Sequence, residues 1–177
     1  MSAHELSISD PVYEGFMKSQ LAEGMALSNA SDILDLHVCP MAPPHYIAEF
    51  HCKGLIRDGD GEVREASSFH VGIWFPDDYL RRANTFDMLR MMTPHLWHPN
   101  ISCELPLICI GTLTPGTPLV DILHRIYEVL TYQLCNPVES NSLNKAACAW
   151  ARRNQHMFPI DGRPLKRRRL SLEVQSS

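Results

Sequence analysis

The sequence lacks the features that define several large classes of protein. No stretch approaches the roughly 20 continuous apolar residues that a membrane-spanning helix requires. The N-terminus, MSAHELSISDPVYEGF, has no basic start followed by an apolar run and does not resemble a secretory signal. The net charge of -4 argues against a general nucleic-acid binder, which normally presents a basic face. These absences predict a cytoplasmic protein that binds neither membranes nor nucleic acid.

The cysteines include no CxxC pair, which is the usual mark of a zinc ribbon. A cytosolic chain of this size is expected to keep its thiols reduced, so disulfides are not predicted although the number of cysteines is even. Free cysteine is often buried, and most of these residues are therefore interpreted as small core residues. The six are Cys39, Cys52, Cys103, Cys109, Cys135 and Cys148.

The chain begins with signals for a helix. Asp10 can cap its N-terminus, and Pro11 suits the first helical position. Apolar residues then recur at spacings of three and four, which is the period of a helix with one buried face. They are Tyr13, Phe16, Met17, Leu21 and Met25.

The period then changes to two, which is typical of half-buried strands. Apolar and polar residues alternate over residues 34–38, 46–52 and 69–75, and the Asp-Gly-Asp-Gly sequence at 58–61 is typical of a hairpin turn. A fourth strand is predicted over residues 86–92. Short connections between successive strands indicate an antiparallel meander.

Two helices are predicted after an irregular, proline-rich segment. Thr117 is an acceptable N-cap for the first, and Pro118 fits its first turn. The second is predicted over residues 143–156, with Ala146, Ala147 and Trp150 buried. The element order predicts an α+β domain over residues 1–160.

A flexible basic tail is predicted over residues 161–177, because this charged sequence has too little apolar surface to order itself. Its basic run at residues 166–169 is interpreted as a solvated segment. A surface for an anionic partner is the alternative.

Several motifs in the irregular segment resemble those of ubiquitin-conjugating enzymes. His98-Pro99-Asn100 is followed nine residues after the asparagine by Cys109 between two isoleucines, and these enzymes carry a His-Pro-Asn tripeptide before their catalytic cysteine. Residues 75–79, Phe-Pro-Asp-Asp-Tyr, resemble the family's Phe-Pro-x-x-Tyr-Pro turn. Residues 134–137 and 141–144 resemble its helix end and the following loop. The resemblance spans about residues 11–157 and implies an N-terminal helix, a four-stranded antiparallel meander, an active-site loop and two C-terminal helices.

The chain also departs from that pattern. Leu80 replaces the proline of the turn, residues 80–97 are longer than the matching segment, and Gly111 stands where many members have an acidic residue. In these respects it resembles divergent bacterial members of ubiquitin-like conjugation systems, some of which belong to antiphage defence operons.

The resemblance implies a transferase whose Cys109 accepts a ubiquitin-like modifier as a thioester from an activating enzyme and passes it to an amine of a target protein. It gives Asn100 the role of stabilising the oxyanion or of supporting the active-site loop. It also implies that His98 and Pro99 shape the turn, that Asn141 lies near the cysteine and orients the incoming lysine, and that no metal or organic cofactor is required.

Alternatives remain open at the level of the sequence. Cys103 is a second candidate thiol, and His95, His98, Cys103 and Cys109 have spacings that can bind zinc. A cysteine hydrolase would need a general base, for which His98 and His124 are the candidates. A catalytically inactive scaffold of the same fold would bind a ubiquitin-like protein without chemistry.

Overall fold

The computed structural model describes residues 10–39, 45–135 and 137–166. No helix among these residues is long and apolar enough to cross a bilayer. Apart from short 3-10 turns at Glu139–Asn141 and Gln155–Met157, the elements are α1 (Pro11–Asn29), β1 (Leu34–Cys39), β2 (His45–Phe50), β3 (Gly54–Arg57), β4 (Val63–Ala66), β5 (Phe69–Trp74), α2 (Thr85–Met88), β6 (Leu89–Met91), α3 (Leu119–Leu130) and α4 (Lys145–Arg153).

The main sheet has the strand order β1-β2-β5-β6, and each neighbouring pair is antiparallel. Side chains alternate between its two faces, and one face supplies the core against which α1 and α3 pack. The predicted α+β fold with a four-stranded antiparallel sheet is confirmed. The buried residues of the two central strands are Tyr46, Ala48, Phe50, Phe69, Val71 and Ile73.

The connection between β2 and β5 differs from the prediction. The turn at residues 58–61 closes a separate two-stranded hairpin, β3–β4, instead of joining the two central strands directly. Each of these strands has only four residues, which is too short for an alternating pattern to stand out in the sequence.

The fourth strand is shorter than predicted. Residues 86–88 belong to the short helix α2, and β6 covers only Leu89–Met91. The side chain of Asn84 accepts a hydrogen bond from the backbone N–H of Phe86 at 3.0 Å, which starts a helical turn in place of a strand.

The start of α1 is as predicted. Asp10 accepts hydrogen bonds from Val12 and Tyr13, and Pro11 is the first helical residue. At Gly24 an added Cβ would lie 2.8 Å from Leu119 of α3 and 2.9 Å from Leu36 of β1. Glycine therefore allows α1 to approach both elements closely.

The predicted capping of α3 by Thr117 is wrong. The Thr117 hydroxyl donates to the carbonyl of Thr114 at 2.7 Å, and the capping residue is Pro118, which has no side-chain acceptor. The buried side chain of Gln20 in α1 instead accepts a hydrogen bond from the N–H of Leu119 at 2.7 Å. A residue of another helix therefore satisfies the first free N–H of α3.

The last helix, α4, is shorter than the predicted 143–156. The side chain of Asn144 caps it by accepting from Ala147 at 2.9 Å. Its buried face is Ala147, Cys148 and Ala151, whereas Ala146 is exposed.

The predicted flexible tail is wrong over residues 161–166. Asp161 and Leu165 are 8% and 2% exposed. The Tyr127 hydroxyl donates to the carbonyls of Asp161 and Arg163, and the Arg163 guanidinium donates to the carbonyl of His51 at 2.9 Å. Hydrogen bonds to backbone carbonyls and one buried leucine anchor this segment. Amino-acid composition alone does not reveal such contacts. Residues 167–177, with the arginines of the basic run, lie outside the described residues.

Replacing Leu165 with alanine should lower the free energy of unfolding by about 2 kcal/mol, because a leucine that is 2% exposed loses its apolar contacts. Urea unfolding at equilibrium measures this change. The matched control is Lys166→Ala, since Lys166 is exposed and its loss should change stability by less than about 0.5 kcal/mol. Equal stabilities for the two variants would contradict the docking of this segment.

Candidate active site

The irregular segment between β6 and α3, residues 92–118, is anchored to two strands. The N–H of Trp97 donates to the carbonyl of Leu55 in β3 at 2.7 Å. The N–H of Met91 in β6 donates to the carbonyl of Pro106 at 2.8 Å. A segment without regular structure is thereby held on both sides, as a site that must position reacting groups requires.

Pro99 connects this segment to the start of α4. Its carbonyl accepts hydrogen bonds from the N–H groups of Leu143 and Asn144 at 2.9 and 3.1 Å and from the hydroxyl of Ser142 at 3.2 Å. Asn141 is exposed on the same loop, at the end of a 3-10 turn. Among the described residues no hydrogen bond links Asn141 to Cys109 or Asn100. Its connection to the His98-Pro99-Asn100 tripeptide runs through the following residues, 142–144, which bond to Pro99.

Asn100 and Cys109 are joined by two hydrogen bonds. The N–H of Cys109 donates to the carbonyl of Asn100 at 2.9 Å, and the Asn100 side-chain amide donates to the carbonyl of Cys109 at 3.1 Å. An antiparallel bridge between Ile101 and Ile108 continues this pairing. Ile108 and Ile110 are buried whereas Cys109 between them is partly exposed, because alternate residues of an extended segment point to opposite sides.

His98 is a structural residue in this arrangement. It is 0% exposed, its Nδ1 accepts a hydrogen bond from the N–H of Asn100 at 2.9 Å, and its ring packs edge-on against Tyr132. Burial lowers the pKa of His98 to about 3, because the charged imidazolium would lose its hydration. A neutral, enclosed imidazole of this kind shapes the turn and does not suit the general-base role weighed for a hydrolase.

Acid should destabilise the protein through His98. An unfolded histidine has a pKa of about 6.5, so below that pH the unfolded chain binds a proton that the native state does not bind. The contribution of neutral His98 to the free energy of unfolding is complete above pH 6.5. It should fall as the pH drops toward 3, by about 2 kcal/mol at pH 5.

Denaturant unfolding at pH 7 and pH 5 tests this dependence, with His98→Asn as the comparison because its amide oxygen retains an acceptor. The variant should lose about 2 kcal/mol less than the wild type between the two pH values. Parallel pH profiles would show that His98 does not control acid stability.

Cys109 lines a cleft of about 320 Å³. Thr85 and Phe86 of α2 form part of its wall, and the Thr85 hydroxyl donates to the carbonyl of Gly111 at 3.0 Å. Gly111 has a φ of +88°, which favours glycine over residues with a side chain. The backbone conformation therefore accounts for the glycine at this position.

The contribution of α2 to this cleft was not predicted from the sequence. The prediction placed residues 86–92 in a strand, which would have directed alternate side chains into the core. The cap residue Asn84 is the one local signal that could have indicated a helical turn there.

Cys103 occupies a different environment from Cys109. It is exposed in the loop after Ile101 and lines a second cleft of about 460 Å³ together with Asp58, His95 and Trp97. Of the six cysteines, only Cys52 and Cys148 are buried, whereas Cys39, Cys109 and Cys135 are partly exposed and Cys103 is exposed. The prediction that most are core residues is therefore wrong.

The proposed zinc ligands do not form a metal-binding group. Within the described residues, His95, His98, Cys103 and Cys109 do not bring three ligand atoms together. His98 Nδ1 is occupied by the N–H of Asn100, and His95 Nε2 lies 2.5 Å from the carbonyl of Ser102. His124, the other histidine weighed as a base, is exposed on α3 and contacts the carbonyl of Val120, one turn earlier, at 2.8 Å.

Comparison with known proteins supports the fold and not a close relationship. No protein-family model matches the chain, and no curated protein matches it. Among solved structures it is similar to the E2 domain of a ubiquitin-conjugating enzyme from Toxoplasma gondii, with 17% sequence identity and a TM-score of 0.57. The match covers 82% of this chain and 90% of that domain. The chain therefore has the fold of the ubiquitin-conjugating E2 domain.

Proposed function

We propose that this protein is a conjugating enzyme that carries a ubiquitin-like protein as a thioester on Cys109. The observation that carries the proposal is the double hydrogen bond between Asn100 and Cys109, which joins an amide donor to the backbone of a partly exposed cysteine. The partners are an activating enzyme, a ubiquitin-like modifier and a target protein with an acceptor amine.

The first chemical step is an exchange of thioesters. The Cys109 thiolate attacks the carbonyl carbon of the modifier's C-terminus, which is bound as a thioester to the activating enzyme. A new S–C bond forms, and the thiolate of the activating enzyme leaves. A thiolate is a good nucleophile, and its thioester remains activated toward amines.

The second step transfers the modifier to an amine. The neutral amine attacks the thioester carbon and produces a tetrahedral intermediate with a negatively charged oxygen. The intermediate collapses with loss of the Cys109 thiolate and of the amine proton, leaving an amide bond. A fixed hydrogen-bond donor beside the oxyanion contributes about 3 kcal/mol to such a step.

Asn100 can serve this chemistry in two ways. Its side-chain amide has two N–H donors, and the bond to the Cys109 carbonyl uses only one of them. In the free enzyme the amide supports the backbone of Cys109. In the thioester complex the same amide, 3.1 Å from the Cys109 backbone, supplies the oxyanion donor.

His98 and Pro99 act indirectly, by positioning. His98 holds the N–H of Asn100, and Pro99 holds the loop that carries Asn141. Asn141 is proposed to orient the incoming lysine from this exposed loop.

A charging experiment separates this function from the alternatives. The protein is incubated with ATP, an activating enzyme and a ubiquitin-like modifier. A conjugating enzyme gives an adduct that migrates more slowly on a non-reducing gel and disappears with thiol reductant. A scaffold binds the modifier without forming this adduct, and a hydrolase releases the modifier from its activated form.

The departures of the chain from the family pattern also support a bacterial type of conjugation system, with a role in antiphage defence. The neighbouring genes test this extension. Genes for an activating enzyme and a ubiquitin-like protein would support the pathway, and a nucleotidyltransferase gene would support the defence role. Their absence would remove the basis for this extension and leave the chemistry of Cys109 to be tested by itself.

A further inference from the structure

A cluster of carboxylates and imidazoles lies on the face of the sheet opposite to the core, apart from Cys109. Asp35 of β1, Glu49 of β2 and His70 of β5 are direct cross-strand neighbours. His51 follows β2 by one residue and lies on the same side as Glu49. The antiparallel register thus brings four potential metal ligands from three strands together.

The imidazole of His51 lies between two carboxylates. Its Nε2 is 2.8 Å from Oδ2 of Asp35, and its Nδ1 is 3.8 Å from Oε1 of Glu49. One ligand atom from each of Asp35, Glu49 and His51 lies within 4.8 Å of the others. Two zinc ligands lie at most roughly 4.2 Å apart, since each is about 2.1 Å from the ion. A shift of under about 1 Å in these side chains would therefore bring all three ligand atoms within reach of one ion.

Glu49 is also contacted by Ser68 and His70, two residues that are not among the three ligands. The Ser68 hydroxyl donates to Oε1 of Glu49 at 3.1 Å, and Nε2 of His70 lies 3.5 Å from Oε2. The Glu49 side chain is 26% exposed and is the least exposed of the three ligands. Metal-binding carboxylates in proteins are commonly oriented by hydrogen bonds of this kind.

The nearby cation does not neutralise the cluster. The Arg163 guanidinium donates to the backbone carbonyl of His51, and its charge is paired with Asp161 at 2.6 Å. The carboxylates of Asp35 and Glu49 are therefore partnered mainly by imidazoles, which are neutral when they bind a metal.

We propose that Asp35, Glu49 and His51 form a binding site for Zn²⁺ on the outer face of the sheet. Imidazole and carboxylate ligands suit Zn²⁺, whereas Mg²⁺ prefers oxygen ligands alone. Three protein ligands leave at least one position for water. The bound ion links the edge strand β1 to β2.

Titration of the full-length protein with Zn²⁺, followed by NMR of the histidine side chains, tests the site. Reading each ring separately distinguishes this site from binding at the thiols. We expect the His51 ring signals to shift and saturate with Zn²⁺ and to remain unchanged with Mg²⁺. Unchanged His51 signals at saturating Zn²⁺ would overturn the proposal.

Variants identify the ligands. Glu49→Gln should weaken the Zn²⁺-dependent shift of His51 by about 10-fold or more, and Ser68→Ala should weaken it by roughly 10-fold through loss of the bond that orients Glu49. The matched control is His37→Ala, because His37 is exposed on the same face of β1, two residues from Asp35. Retention of full affinity in Glu49→Gln, or equal loss in His37→Ala, would contradict the assignment.

Discussion

Replacing Cys109 with alanine should abolish the thiol-labile adduct with the modifier, because the sulfur that accepts the carboxyl group is removed. Cys109→Ser should give at most an oxyester that resists thiol reductant, since an alkoxide leaves far less readily than a thiolate. Charging with the activating enzyme, ATP and modifier, followed on a non-reducing gel, measures both effects. Cys109 is partly exposed, so neither small substitution should disturb the core.

Cys103→Ala is the matched control for this experiment. Cys103 is exposed, belongs to the same irregular segment and lines a different cleft. It should charge as the wild type does. A labile adduct that persists in Cys109→Ala and disappears in Cys103→Ala would move the acceptor to Cys103 and refute the proposed role of Cys109.

Asn100→Ala should slow the discharge of the charged enzyme to free lysine by ~100-fold or more, the usual effect of losing an oxyanion donor. Charging should suffer less, because the activating enzyme assists that step and it begins from a different thioester. Asn100→Asp should also be impaired, since a carboxylate cannot donate the hydrogen bond and would repel the developing negative charge. Single-turnover discharge of purified thioester measures the effect.

The observed bond from the Asn100 amide to the Cys109 carbonyl gives a second explanation, in which the amide only supports the loop. In that case Asn100→Ala should lower the melting temperature, and charging and discharge should fall together. The control is Ser102→Ala, which removes an acceptor for the N–H groups of Glu104 and Leu105 in the same segment without touching the amide. Normal discharge by a stably folded Asn100→Ala would exclude both roles.

The parts of the fold that could be predicted are those specified by neighbouring residues. Asp10 and Pro11 begin α1 as expected, because a capping side chain and a preset φ act within one turn. The three long strands follow from alternation alone. The pairing of Asn100 with Cys109 agrees with the motif that identified them, although spacing could not show which atoms meet.

Two of the errors occur where distant residues decide the structure. The segment over residues 161–166 is ordered because Tyr127 and His51 provide its partners, and its own composition contains no sign of them. The cleft wall formed by Thr85 depends on a contact with Gly111 in the irregular segment. Sequence patterns over a few residues cannot report contacts of this range.

The link between Gln20 and Leu119 also bears on the order in which the chain acquires its structure during synthesis. The two residues are 99 positions apart, so α1 leaves the ribosome long before Leu119, whose N–H donates to Gln20, has been synthesised. Until then the buried amide of Gln20 and the close approach at Gly24 both lack their partner in α3. Closing so long a loop lowers the entropy of the chain, and this loss is offset only once the contacts with α3 form. A nascent chain that ends before α3 therefore lacks these two contacts, and only earlier elements, such as β1 with Leu36, can then pack against α1.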